Sequence, residues 1–282
     1  MNNEKKKNNR YSFFLNLLFF IISIGYLYPV ILILLNSFKK KAYISKSPFS
    51  IPFSEMFFGI NNYINGVEKT GFFQALGWSF FITIASVIVI VFCCSMAAWY
   101  IIRVKNLGTK IFYVLCLFSM IVPFQMVMYP LSKLSNILRL NSPLGIVIVY
   151  LGFGSGVTIF MFIGLLKSIP LEIEEAAMID GCSPLQIFFR IVLPMMKPMY
   201  ITVSILQAMW IWNDYLLPYL ILDLKKYKTI PVAIQYLRGG YGSIDMGAMM
   251  GVLVLAIIPI VIFYILCQKY IIEGVISGAV KG

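Results

Sequence analysis

Two stretches of this chain hold side chains that could do chemistry. The run Trp210-Ile211-Trp212-Asn213-Asp214-Tyr215 sets an amide and a carboxylate among aromatic rings within an apolar segment. Aromatic faces stack on sugar rings and amides bridge hydroxyls, so Trp212, Asn213 and Asp214 are candidates for lining a translocation path. The plainer alternative is an interfacial aromatic belt, with Asp214 reaching toward water and Asn213 capping a helix. The second stretch, Lys167 to Pro198, gathers Glu172, Glu174, Glu175 and Asp180. Neither supports catalysis. The chain has no histidine, so no nucleophile–base pair can form unless a lysine serves, and no lysine lies mid-span. No G-x-x-x-x-G-K-[ST] run is present to cradle phosphates. Cys93, Cys94, Cys116, Cys182 and Cys267 lack metal-ligand spacing, and the adjacent Cys93 and Cys94 read as packing thiols. Asp214 is the one acid well inside a span, and a single carboxylate makes a poor proton relay.

The elements that must position these residues are membrane helices. Of 282 residues, 60% are hydrophobic and 12% charged, and the mean hydropathy is +0.88. No soluble domain of that length hides so much apolar surface, so the bilayer is the solvent. The net charge of +12 sits in short basic clusters beside apolar spans. That placement suits lipid headgroups and argues against nucleic acid. The N-terminal apolar segment is too long for a signal peptide and lacks a small-residue cleavage site, so it reads as a retained anchor. Six stretches are long enough to cross, at about Tyr11–Leu35, Ala75–Ile102, Ile111–Pro130, Ser142–Leu166, Met199–Leu222 and Met246–Gln268. The expected fold is therefore all-α and polytopic, with both termini on one side. Pro29, Pro123, Pro218 and Pro259 are candidate kinks. The 23 basic residues divide almost evenly between the two faces, so charge alone does not orient the chain.

Helix punctuation collects between Lys167 and Pro198. Ser168 is placed to cap a helix with Pro170 in its first turn, where the acids Glu172, Glu174 and Glu175 favour the positive end of the dipole. That helix should end near Asp180-Gly181 on a left-handed glycine. Ser183, Pro184 and Gln186 then form a capping-box pattern for a second helix, which Pro194 should end. Ala176 and Ala177 are expected to face outward beside Glu175, giving a flat surface suited to another protein.

Glu175-Ala176-Ala177, Asp180-Gly181, Ile191 and Leu193-Pro194 resemble the "EAA" loop of permease subunits of bacterial ABC importers. Ile169-Pro170-Leu171-Glu172 and the ending Gln268-Lys269-Tyr270, Gly274, Gly278-Ala279-Val280-Lys281-Gly282 look like sugar-importer permeases of the maltose type. The resemblance implies half of a heterodimeric pore in a bacterial inner membrane. Its partners would be a second permease, two copies of a cytoplasmic ATPase that binds the ATP, and an external solute-binding protein. The chain itself would carry no cofactor or metal and catalyse nothing. By the same resemblance, the Glu175–Gly181 loop seats in the ATPase and Gly278, Lys281 and Gly282 reach between the ATPase subunits. The implied organisation is an N-terminal tail, first span and external segment over 1–72. A five-helix core over 73–270 follows, carrying the coupling loop 167–198, with a tail over 271–282. The rival readings are a secondary transporter, for which several buried charges and inverted repeats are missing, and a scaffold. A phosphorylated polyol is an alternative cargo.

Overall fold

The computed structural model describes the backbone of residues 2–237 and 245–279, and the side chains of 14–237 and 245–270. The helices, in chain order, are α1 (Asn2–Ser37), α2 (Lys41–Lys46), α3 (Asn61–Thr70), α4 (Phe72–Arg103), α5 (Leu107–Ile121), α6 (Phe124–Ile137) and α7 (Pro143–Leu166). After them come α8 (Leu171–Ile179), α9 (Pro184–Ile187), a π-helical stretch over Phe188–Val192, α10 (Leu193–Met195), α11 (Lys197–Asn213), α12 (Leu216–Ile221), α13 (Ile230–Gln235) and α14 (Met246–Ala279). The fold is all-α, as composition predicts.

Among the described residues, four helices are long and apolar enough to cross a membrane, or up to six crossings if each of two bent pairs counts as one. One of these bent pairs, and a helix break elsewhere, correct two of the expected spans. Ile111–Pro130 is not a straight crossing: α5 and α6 meet at 110° across Val122-Pro123. Pro123 has no N–H to continue the α5 ladder and biases Val122 toward the extended backbone it adopts (φ −71°, ψ 117°). Met199–Leu222 likewise breaks at Asp214, between α11 and α12. Apolar counting cannot see either break, because both sides of each remain hydrophobic.

The chain divides into two compact units, one of Met1–Phe72 with Ile234–Ile258, the other of Phe73–Ala233 with Pro259–Gly282. In the first, the Asn62 amide donates to the Ser37 and Lys39 carbonyls, both at 2.8 Å. The buried Lys39 ammonium donates to the Ser47 and Pro48 carbonyls at 2.8 and 3.1 Å, where it completes the C-terminus of α2. The second unit has one continuous hydrophobic core drawn from α4, α7, the 169–196 segment, α11 and α12. Within it Gly156 lets α7 approach α5 so closely that a Cβ would stand 2.6 Å from the Cys116 carbonyl oxygen.

Candidate functional site

The Lys167–Pro198 hairpin is built by its caps. Ser168 does not cap α8; its hydroxyl donates backward to the Leu165 carbonyl at 2.7 Å, and the helix starts after Pro170 without a side-chain cap. At the other end Gly181 takes φ +84°, with Cys182 N–H donating to the Ala177 carbonyl and Gly181 N–H to that of Met178, each at 3.0 Å. This paired closure of the last carbonyls needs a left-handed residue. Ser183 and Gln186 form the reciprocal capping box, with the Ser183 N–H donating to Gln186 Oε1 at 2.8 Å.

The second helix of the hairpin does not end at Pro194. It widens into the π-helical stretch over Phe188–Val192, continues through Leu193–Met195, and turns 77° into α11. The wider turn sits just before the proline, where an α-helical carbonyl four residues back would collide with its ring.

Three motif residues, Glu175, Ala176 and Gly181, are exposed, as is Asp180. The expectation that both alanines face outward is corrected: Ala176 does, while Ala177 is buried in the core. Ile191 and Leu193 are half-buried and pack against that core, and Pro194 is exposed. Beside Glu175, Ile179 stands 87% exposed, with Met178 and Leu185 also open.

The residue that sequence reasoning missed is Glu174. It lies fully buried, and its Oε1 accepts from Arg103 Nη2 at 2.6 Å and Nε at 2.9 Å. Its Oε2 accepts from Trp99 Nε1 at 2.9 Å. Arg103 Nη2 also donates to the Ile169 carbonyl at 3.3 Å. A signal was present in the sequence, since Trp99 and Arg103 stand four apart and share a face of α4.

Trp212, Asn213 and Asp214 separate. Trp212 and Asn213 line a groove of about 680 Å³ walled by α4, α11 and the Pro259–Tyr270 part of α14. Asp214 does not line it. Its Oδ1 accepts from the Leu216 and Leu217 N–H groups at 3.0 and 3.4 Å, capping α12, and its Oδ2 accepts from the Tyr150 hydroxyl at 3.0 Å. The groove wall is mainly apolar. Its polar groups include Ser204 and Thr83, and the buried Thr83 hydroxyl has no hydrogen-bond partner among the described residues. Gly278 falls within α14, whereas Lys281 and Gly282 lie outside the described residues.

A family model described as the binding-protein-dependent transport system inner membrane component matches residues 90–277. The chain is 38% identical over 269 residues to the probable starch degradation products transport system permease protein AmyC of Thermoanaerobacterium thermosulfurigenes, covering 95% of this chain and 97% of that protein. It is 35% identical over 264 residues to the multiple sugar-binding transport system permease protein MsmG of Streptococcus mutans, covering 90% and 92%. Its fold resembles a chain in the crystal structure of a bacterial ABC transporter involved in import of the acidic polysaccharide alginate. There the TM-score is 0.78 at 22% identity, covering 94% of this chain and 97% of the other.

Proposed function

The chain belongs to the family of binding-protein-dependent transport system inner membrane components, and from that premise we propose that it forms half of the pore of an ATP-driven bacterial importer for a sugar or short oligosaccharide. The chain is a transport component and not an enzyme. The observation that carries the reading is the hairpin, whose Glu175, Ala176, Asp180 and Gly181 are exposed on a backbone locked by caps at Gly181 and Ser183. Exposed Ile179 and Met178 beside an acid suit an apolar and charged cleft on a cytoplasmic ATPase subunit. Two copies of that subunit bind the ATP and drive the motion, and a second permease supplies the other half of the pore. An external binding protein delivers the cargo, and Gly278, Lys281 and Gly282 at the C-terminus reach the ATPase side.

The cargo class follows from the relatives named for starch products and multiple sugars, and the groove is compatible with it. Trp212 gives a flat aromatic face and Asn213, Ser204 and the unpartnered Thr83 hydroxyl give scattered hydrogen-bond groups. Asp214 is not offered to the groove; it is spent on the α12 cap and Tyr150, which weighs against a proton-coupled carrier. Functionally the chain divides into residues 1–72, a core over 73–270 and a tail over 271–282, in a bacterial inner membrane.

The experiment is co-purification with the cognate ATPase and second permease, followed by ATP hydrolysis in liposomes. Hydrolysis stimulated severalfold by loaded binding protein supports the reading. A chain that transports alone, with uptake collapsing under a protonophore at constant ATP, overturns it.

A further inference from the structure

We propose that α4 carries the hairpin's displacement to the groove, with Arg103 and Trp99 acting as positioning residues that fasten the hairpin to α4. The proposal rests on the importer reading above and assigns a path inside it. Ser95, Trp99 and Arg103 recur every fourth residue, so they stack on one face of α4. Each holds a different part of the segment that follows α7. Arg103 takes the Glu174 carboxylate and the Ile169 carbonyl, at the two ends of the entry into α8. Trp99 holds the other oxygen of the same carboxylate, and its ring lies 5.4 Å from that of Phe188 in the π-helical stretch. Ser95 is hydrogen-bonded to the Tyr200 hydroxyl of α11, and Phe92 stacks on Phe189 at 6.1 Å. Both helices of the hairpin are therefore held by one side of one helix.

The opposite end of α4 supplies Phe80, Thr83 and Ile84 to the groove wall. Thr83 and Arg103 are about 30 Å apart along a continuous helix with no interior proline. A helix of that kind moves as a rod, so a tilt imposed at Arg103 appears at Thr83.

The chemistry of the joint suits transmission better than stability. An apolar cluster of similar volume would hold these helices at least as firmly, since desolvating two charges offsets much of their attraction. What the joint adds is direction. Donors from two residues fix both oxygens of a carboxylate that has no exposure to water, so α8 cannot rotate against α4 without stranding a buried charge. Glu174 precedes the exposed Glu175, so any force on Glu175 acts within one residue of the joint.

The test uses the assembled importer in liposomes, in a background with the native cysteines replaced and a reporter thiol introduced by Ile84→Cys. Its rate of modification by a thiol reagent is compared at rest and after trapping with ATP and vanadate in the presence of binding protein. With the joint intact, we expect trapping to change that rate by about tenfold, the range of ordinary coupling between sites. In Glu174→Gln and Trp99→Phe the subunits should still co-purify and hydrolyse ATP at the basal rate. The trapping response of the reporter and the stimulation by binding protein should each fall by about tenfold. A joint that only stabilised the fold would lower the yield and leave the response per assembled complex intact. Trp99→Phe retains the ring against Phe188, so it decides the matter should Glu174→Gln fail to assemble. Full responses in both variants overturn the proposal and leave the importer reading standing. No stimulation with the joint intact overturns both.

Discussion

Tyr150, with no exposure to water, donates its hydroxyl to Asp214 Oδ2 at 3.0 Å and so ties the interior of α7 to the break between α11 and α12. The same carboxylate caps α12 through Oδ1. Asp214→Asn keeps an oxygen for the cap and an amide that Tyr150 can accept from, so uptake should persist and stability should change little. Asp214→Ala removes a cap worth about 1 kcal/mol and leaves a buried hydroxyl unpaired at a cost of about 1–3 kcal/mol. Thermal unfolding of the detergent-solubilised chain should therefore fall clearly for alanine alone, and Tyr150→Phe should recover part of the loss. Equal damage from asparagine and alanine would assign Asp214 a charge-dependent role that the geometry lacks.

Gly156 and Gly164 lie on the same helix, α7, in opposite situations. A Cβ at Gly156 meets the Cys116 carbonyl oxygen at 2.6 Å, with Ser119 and Met120 also within 3 Å, whereas one at Gly164 meets nothing within 4 Å. A backbone carbonyl cannot swing aside, so Gly156→Ala should force α5 and α7 apart and cost about 1–3 kcal/mol. Gly164→Ala should be neutral or slightly stabilising. Unfolding temperatures of the two variants measured side by side check this, and a tolerant Gly156 would mean that α5 yields freely.

What was legible in the sequence divides by range. The glycine at Gly181 and the Ser183–Gln186 box depend only on residues within a few positions, and the local pattern specifies them. Apolar length likewise announced the crossings. The burial of Glu174 and Ala177 depended on which helix lies alongside, and the acids of that turn look alike until α4 is placed. The separation of Asp214 from Trp212 and Asn213 arose the same way. Three consecutive residues were read as one lining, but the chain leaves α11 at Asp214 and directs that side chain toward α7. Pro123, a candidate kink in the sequence, stands at the 110° bend between α5 and α6, whereas the break at Asp214 escaped because an acid in an apolar run does not say whether neighbours straighten it.

In the unit containing α3, Lys69 forms an ion pair with Asp245, just before α14. Partial burial pushes the Asp245 carboxyl up, but the Lys69 hydrogen bond, the Ala248 N–H and the charges of Lys69 and Lys41 outweigh it, and the net shift is downward. A folded-state value below the unfolded one means that the contribution is present above the unfolded value of about 3.9 and disappears as the pH falls through the folded one. Both side chains are partly exposed, so water and salt screen the effect and it should be small. Hydrogen exchange in α3 should quicken as the pH is lowered below about 4, after correction for the intrinsic rate, and Asp245→Asn should remove that pH dependence. An unchanged profile in Asp245→Asn would assign the acid sensitivity to other carboxylates.

Gly181 and Glu175 separate two ways of damaging the hairpin. Gly181 holds φ +84° with open space where a Cβ would stand, so the damage from a side chain there is backbone strain together with whatever approaches from outside. For a β-branched residue the strain alone is about 1–2 kcal/mol, while asparagine tolerates the left-handed region well. Gly181→Val should therefore reduce uptake severely and Gly181→Asn far less, provided the docked ATPase leaves room for an amide. Glu175 is exposed, so Glu175→Lys should leave insertion and folding unaffected and, on the coupling proposed above, act only where a partner ATPase docks. Reversing a charge in a docking surface that faces a basic group typically costs about 2–5 kcal/mol. Binding-protein-stimulated ATP hydrolysis in liposomes, with insertion and subunit association measured in parallel, reads both effects. Normal stimulation in Gly181→Val and Glu175→Lys would mean that the hairpin does not couple the subunits, since the strained turn and the exposed acid would then both be dispensable to the ATPase.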